Sequence, residues 1–203
     1  MKKMTGLAVM AVMAGVAAHG AGHGESAAVA GDRAVTVCMA ADGMLNGAAL
    51  ARMRASEIFR GIGVRIDWRQ TLACPSSGIV ISLSYRTPAH LMPGALAYAK
   101  PYEGTHIVLF YDRIAEMYER SWTVTVLSHV LVHEVSHILE GVSRHSDSGV
   151  MKARWTGNDF AQMRRGPLGF AQMDVELIHE GLDARARQAA ASGAASVAPG
   201  ATN

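Results

Sequence analysis

Apolar and polar residues along the chain follow two different periods, which predict a sheet interleaved with helices. Five short runs, rich in β-branched residues or alternating in polarity, predict strands at 34–39, 64–68, 79–84, 94–99 and 106–111. The run 79–84 is mostly apolar, which indicates a central strand. Pro93 and Pro101 bracket 94–99, which indicates a short edge strand because proline cannot donate to a sheet ladder.

Apolar residues at helical spacing predict helices over 45–61 and 171–191. Asn158 and Asp159 suit the cap of a shorter helix that ends near Arg165. A long helix is predicted from about Ser121 to Glu140. Its first half is rich in valine and threonine and by propensity alone would suit a strand, but the motif that it carries requires a helix.

The two ends of the chain differ from its middle. Lysines precede an apolar run from Leu7 to Ala18, and small residues follow, which predicts a signal peptide over 1–30 with cleavage between 18 and 30. The alternative is a buried N-terminal helix. The apolar run is too short to span a bilayer, so no membrane anchor is expected in the mature form. Residues 31–190 are predicted to form a single domain, and the Ala-, Ser- and Gly-rich segment 191–203 a disordered tail.

Charge and cysteine content narrow the class of protein. The chain has 19 Lys and Arg against 17 Asp and Glu, and two of the lysines lie in the predicted leader. No basic patch with interleaved aromatics is present, so nucleic-acid binding has no support. Two cysteines in an exported chain predict a disulfide between Cys38 and Cys74, with two free buried thiols as the alternative. The protein is therefore expected in the periplasm or outside the cell.

The sequence from His133 carries the candidate chemistry. His133 and His137 are four residues apart, so on a helix their imidazoles share one face and can bind one metal ion. Glu134 lies about 100° round the helix, where its carboxylate can reach a metal-bound water without being a ligand. Gly141 suits a left-handed turn that ends the helix, after which His145 can return as the third ligand. Three protein ligands and one water are typical of a catalytic zinc.

Other assignments of these residues stay open. The motif HExxH also occurs by chance in unrelated helices. In a second class of zinc peptidases the third ligand is a glutamate on a later helix, for which Glu176 or Glu180 would serve. His129 lies one turn before His133 and is expected to be a hydrogen-bonded or surface residue rather than a ligand.

The form HExxHxxxGxxxHSxxGVM in this chain, followed by Arg154 and Trp155, looks like that of a group of small secreted bacterial metzincin-like proteins. More widely, the segment resembles the metzincin clan of zinc peptidases, and within it the matrixin-like group. Those proteins carry HExxHxxGxxH followed by a methionine in a tight turn. The resemblance implies His133, His137 and His145 as zinc ligands and Glu134 as the general base. It also implies Met151 as the methionine of the turn. This chain differs because its glycine comes one residue late and its third histidine two residues late.

The resemblance also implies a fold and an activity. The fold class is α+β, with a twisted mixed sheet of about five strands, a long motif helix and C-terminal helices. The activity is that of an endopeptidase that binds one zinc ion per chain and acts as a monomer on a peptide or protein substrate. The substrate would add as a strand along the edge formed by Ala95, Leu96, Ala97 and Tyr98. The alternative function is a secreted zinc-holding or binding module without peptidase activity.

Overall fold

A five-stranded sheet forms the centre of the fold, in the order β2-β1-β3-β5-β4. The computed structural model describes residues 33–39, 47–71, 73–88, 95–99, 104–117 and 120–196. Its elements are β1 (Arg33–Met39), α1 (Ala48–Arg60), β2 (Val64–Arg69), β3 (Ile79–Ser84), β4 (Ala97–Ala99), β5 (His106–Phe110), α2 (Tyr111–Met117), α3 (Arg120–Glu140), α4 (Gly157–Met163) and α5 (Gln172–Ser196). The described residues belong to one compact unit. The predicted signal peptide at 1–30 and the residues from 197 onward lie outside the described residues.

The sheet is mixed, as predicted. Strands β2, β1, β3 and β5 are parallel to one another, whereas β4 pairs antiparallel with β5. The mostly apolar strand β3 lies at the centre, and the short strand β4 forms one edge. This edge strand is shorter than predicted, since it starts at Ala97, and the predicted first residue Gly94 lies outside the described residues.

Helix α1 contacts β2 and α3, and three of its apolar residues at helical spacing, Ala51, Ala55 and Ile58, are buried. Helix α3 packs against both α1 and α5. Its residues 126–132 are buried, and Val126, Val130 and Val132 belong to the core. Burial on several sides explains the weak amphipathic pattern of this helix, because apolar residues face a neighbour in each direction.

The three other helices depart from the sequence prediction. Helix α2, which directly follows β5, was not predicted. Helix α4 begins at Gly157, before the predicted cap residues Asn158 and Asp159. Thr156 is the N-cap, and Asp159 at the third helical position forms a capping box with it. Helix α5 continues to Ser196, into the segment that was predicted to be a disordered tail.

The disulfide between Cys38 and Cys74 is formed, as predicted. It joins strand β1 to the loop that precedes β3, across 36 positions of the chain. Cys38 is fully buried within the sheet. Among the helices that the structure describes, none is both long enough and apolar enough to cross a membrane.

Candidate metal centre

Three histidines from two elements converge at the end of α3. His133 and His137 lie one turn apart on the helix, and His145 lies in the loop that follows it. A ligand atom of each of the three lies within 4.8 Å of the others. The Nε2 atoms of His133 and His137 are 3.0 Å apart, and the His145 ring stacks on that of His133 at 5.3 Å between centroids. The group can therefore hold a metal ion.

The turn at Gly141 makes this convergence possible. Gly141 adopts a left-handed conformation with φ 68°, and its N–H donates to the carbonyl of His137. This is the predicted helix stop, which reverses the chain directly after Glu140. The loop with its longer spacing consequently still returns His145 to the face of α3 that carries the two other histidines.

A hydrogen bond fixes which nitrogen of His133 faces the group. The Nδ1 atom of His133 lies 2.9 Å from the carbonyl oxygen of Val150. A carbonyl can only accept, so Nδ1 carries the proton and Nε2 presents its lone pair toward His137. Metal-binding histidines are commonly oriented in this way by a carbonyl on the far side of the ring.

Burial keeps the imidazoles of the helix neutral. Loss of hydration lowers the pKa of His133 to about 4, against the opposing hydrogen bond to Val150. Loss of hydration also lowers the pKa of His137 to about 3, and the neighbouring histidines add to the effect. The pKa of the more exposed His145 is lowered as well, by partial burial and by the charge of Arg144. Neutral imidazoles are the form that binds metal.

Glu134 is buried beside this group and is joined to the sheet edge. Burial raises the pKa of its carboxyl to about 8, and a hydrogen bond from the backbone N–H of Ala99 opposes that rise. The contact ties the motif helix to β4. A carboxyl with a raised pKa is a stronger base than an exposed glutamate, and functional sites often tune their bases by burial.

The pairing of β4 shows which backbone groups point away from the sheet. The N–H of Phe110 donates to the carbonyl of Leu96, so Leu96 and, by alternation, Tyr98 face β5. The backbone groups of Ala97 and Ala99 then point to the open side, in agreement with the bond from Ala99 to Glu134. The side chain of Tyr98 is half exposed, and Ala95 lies just before the strand. In the part of the chain that the structure describes, no strand pairs with this open side.

Met151 lies in the core rather than in the cleft. Its side chain is fully buried, and its carbonyl accepts a hydrogen bond from the N–H of Ser146, the residue after His145. The preceding residue Val150 holds His133 and also accepts a bond from the indole N–H of Trp155. Two hydrogen bonds therefore join the turn at 148–151 to the histidine group. Val150 accepts from His133, and Met151 accepts from Ser146, the residue after His145.

The residues left open as alternatives lie elsewhere. His129 is buried, donates through Nδ1 to the carbonyl of Thr125 and accepts at Nε2 from the N–H of Leu168. It lines a cavity of about 390 Å³ between α1, α3 and the residues after α4. Glu176 accepts a bond from Gln172 on the surface of α5. Neither Glu176 nor Glu180 belongs to a potential metal group among the described residues.

Comparison with known proteins finds similarity in structure and not in sequence. No protein-family model matches the chain, and no curated protein matches it. Among solved structures, the chain is similar to archaemetzincin from Methanopyrus kandleri, with a TM-score of 0.51. The similarity covers 74% of this chain and 97% of that one at 16% sequence identity. The fold is archaemetzincin-like.

This similarity confirms the predicted fold class and, at its low identity, shows the fold alone. The three histidines and Glu134 were found from their spacing in the sequence. Two further features of the site could not be found in the sequence. One is the bond from Ala99 to Glu134, and the other is the buried Asp174, which is bonded to both neighbours of His145. Neither has a local sequence signal, because both partners are distant along the chain.

Proposed function

We propose that this protein is a secreted zinc-dependent endopeptidase. The observation that carries the proposal is the convergence of three neutral histidines beside a buried glutamate, on a helix that contacts the edge strand β4. The archaemetzincin-like fold supports the same class of protein. We expect one zinc ion per chain and a monomer as the acting form.

The donor set fits zinc. Two nitrogens bound to one tetrahedral zinc lie about 3.3 Å apart, given Zn–N distances near 2.0–2.1 Å. The Nε2 atoms of His133 and His137 are 3.0 Å apart, so a small movement would admit the ion. His133, His137 and His145 would hold it, and three ligands would leave one position open. When bound, zinc supplies a Lewis acid that lowers the pKa of a bound water and polarises a peptide carbonyl.

Glu134 would act as the general base. Its carboxylate takes a proton from the attacking water and passes it to the leaving amine. A nearby divalent cation favours the ionised carboxylate, which offsets the effect of burial on its pKa. The bond from Ala99 orients the carboxyl group toward the edge where a substrate would lie. Val150 would keep the ring of His133 in place, and the side chain of Met151 is buried in the core.

A peptide substrate would add as a strand to β4. The backbone groups of Ala97 and the carbonyl of Ala99 point to the open side and can pair with an extended chain. Such pairing positions a peptide bond beside Glu134, because Ala99 is itself bonded to that residue. The disulfide supports export, since disulfides persist in oxidising compartments.

The decisive experiment compares the wild type with Glu134→Gln on an unfolded protein substrate, with zinc content measured in both. Turnover should fall by at least about 10²- to 10⁴-fold in the variant, while zinc stays bound because Glu134 is not a ligand. A chelator should abolish cleavage, and added zinc should restore it. Full activity of Glu134→Gln would show that this site does not perform the cleavage.

The ligand assignment has a matched pair of variants. His145→Ala should bind zinc far more weakly than the wild type, and Glu176→Ala should bind it as the wild type does, because Glu176 is a surface residue bonded to Gln172. The opposite result would make the later glutamate the third ligand. If the wild type binds zinc but cleaves no member of a broad peptide library, the protein is the zinc-holding module instead.

A further inference from the structure

A cluster of four polar side chains surrounds the loop that carries His145. Its members are Glu140 at the end of α3, Arg144 and Ser146 on either side of His145, and Asp174 in the first turn of α5. We call it the Asp174 cluster. Both of its carboxyl side chains are fully buried, which is costly for charged groups unless their hydrogen-bonding atoms are satisfied.

Asp174 binds both neighbours of His145 through a single oxygen. Its Oδ1 accepts from Nη1 of Arg144 at 2.8 Å and from the hydroxyl of Ser146. Arg144 also donates from Nη2 to the Ser146 hydroxyl at 2.9 Å, which closes a ring of three bonds. The backbone of His145 is therefore held from its two flanking residues and not through its own side chain.

His145 depends on such support more than the other two histidines do. His133 and His137 lie on a regular helix, whereas His145 is exposed and lies in a loop without regular structure. In the part of the chain that the structure describes, its imidazole has ring contacts with His133 and His137 and no hydrogen bond. The position of this ring consequently follows from the position of its backbone.

Asp174 is itself fixed to the body of the protein. Its Oδ2 accepts from the N–H of Ala171, which anchors the side chain at the start of α5. The same helix packs tightly on the end of α3, where Gly181 approaches the carbonyl of Leu139. Helix α5 thus connects the end of the motif helix to the loop that carries the third histidine.

Arg144 binds Glu140 only weakly, so Asp174 is its main partner. Burial and the neighbouring charge of Asp174 raise the pKa of Glu140 to about 7. Its bond from Arg144 is long, at 3.4 Å, and its Oε1 has no partner among the described residues. The strong ion pair of the cluster is therefore between Arg144 and Asp174.

We infer that Asp174 is a positioning residue for the metal centre, which holds His145 in place for metal binding by bonding to Arg144 and Ser146. The inference rests on the proposed zinc site. It assigns to the start of α5 a part in metal affinity, although no residue of that helix reaches the metal group.

The test is the zinc affinity of full-length Asp174→Asn, measured by competition with a chelator of known affinity. We expect an affinity about 10- to 100-fold lower than that of the wild type, as is typical when a residue that orients a ligand is lost. The matched control is Asp183→Asn, which breaks another aspartate–arginine pair of the same helix, with Arg33, away from the histidines. This control should bind zinc like the wild type.

A double-mutant cycle with His145→Ala separates positioning from general stability. If Asp174 acts through His145, Asp174→Asn should have no further effect on zinc affinity once His145 is absent. An equal loss in both backgrounds would overturn the inference, and so would wild-type affinity in Asp174→Asn. A wild type that binds no zinc would instead contradict the proposed function itself.

Ser146→Ala covers the case in which Asp174→Asn does not fold. This change removes one hydroxyl and leaves the ion pair of Arg144 intact, so the fold should be retained. We expect a loss of about 2- to 10-fold in zinc affinity, because the hydroxyl donates to Asp174 and accepts from Arg144 and both bonds are lost. Unchanged affinity in folded Ser146→Ala would overturn the inference.

Discussion

At the residue scale, burial decides the protonation state of the histidines before a metal binds. The pKa of His133 is about 4 and that of His137 about 3, because both rings lose hydration beside α3 and the loop. An exposed histidine has a pKa near 6.5. The two helical histidines are therefore neutral over the whole range in which an exposed histidine gains its proton.

This difference predicts an unusual pH dependence of zinc binding. Protons compete with the metal at His133 and His137 only below their pKa values of about 4 and 3, so between pH 7.5 and 6 the affinity should fall by no more than the competition of one proton, at the exposed His145, and it should fall more steeply below about pH 5. Chelator competition at fixed pH values measures it. A loss between pH 7 and 6 that requires more than one proton per zinc ion would contradict the neutral state of His133 and His137.

The sequence could predict the three histidines that converge and the glutamate beside them, but not the residues that support them. His133, Glu134 and His137 are neighbours on one helix, so their geometry follows from the helical period. His145 follows from the glycine turn. Asp174 is 30 positions from Arg144, and only the packing of α5 brings the two together. A buried ion pair between distant elements has no periodic pattern that a sequence can show.

At the element scale, the predictions failed where local signals compete. Helix α2 follows β5 without a break, because Tyr111 continues the apolar run of the strand and then starts the helix. Asp159 suits an N-cap, but Thr156 takes that place and uses Asp159 as its partner. The prediction for α3 was confirmed although its local signals also compete. Its β-branched residues favour a strand, but the motif requires a helix, and a helix is observed.

The contact between α3 and α5 makes a prediction about Gly181. A Cβ atom at this position would lie 1.7 Å from the carbonyl oxygen of Leu139, so alanine would force the helices apart. We expect Gly181→Ala to lower the free energy of unfolding by about 1–3 kcal/mol or more, as overpacking does. Chemical denaturation measures the change. Gly157→Ala is the control, because nothing lies within 4 Å of its added carbon, and it should change stability little. Equal stability of Gly181→Ala and the wild type would show that the two helices are not in close contact.

At the scale of the whole molecule, the fold joins the two halves of the site. The motif helix supplies His133, Glu134 and His137, while the sheet supplies β4, and Ala99 bonds the one to the other. The number of strands, the central β3 and the edge β4 followed from the sequence, because burial on both faces and flanking prolines leave local patterns. The bond from β4 to Glu134 did not, since it depends on how the sheet and α3 pack.

The disulfide between Cys38 and Cys74 supports the proposed export of the protein to an oxidising compartment. Cys38 and Cys74 close a loop of 36 positions, which should stabilise the folded state by about 3–4 kcal/mol by restricting the unfolded chain. The double variant Cys38→Ala/Cys74→Ala should therefore unfold at a lower denaturant concentration, while an oxidised and a reduced wild-type sample should differ in the same direction. Alkylation without reductant, followed by mass measurement, reports the state in protein recovered from the periplasm. Two alkylated cysteines there would show that the bridge does not form in the cell, and would remove the support that it gives to export.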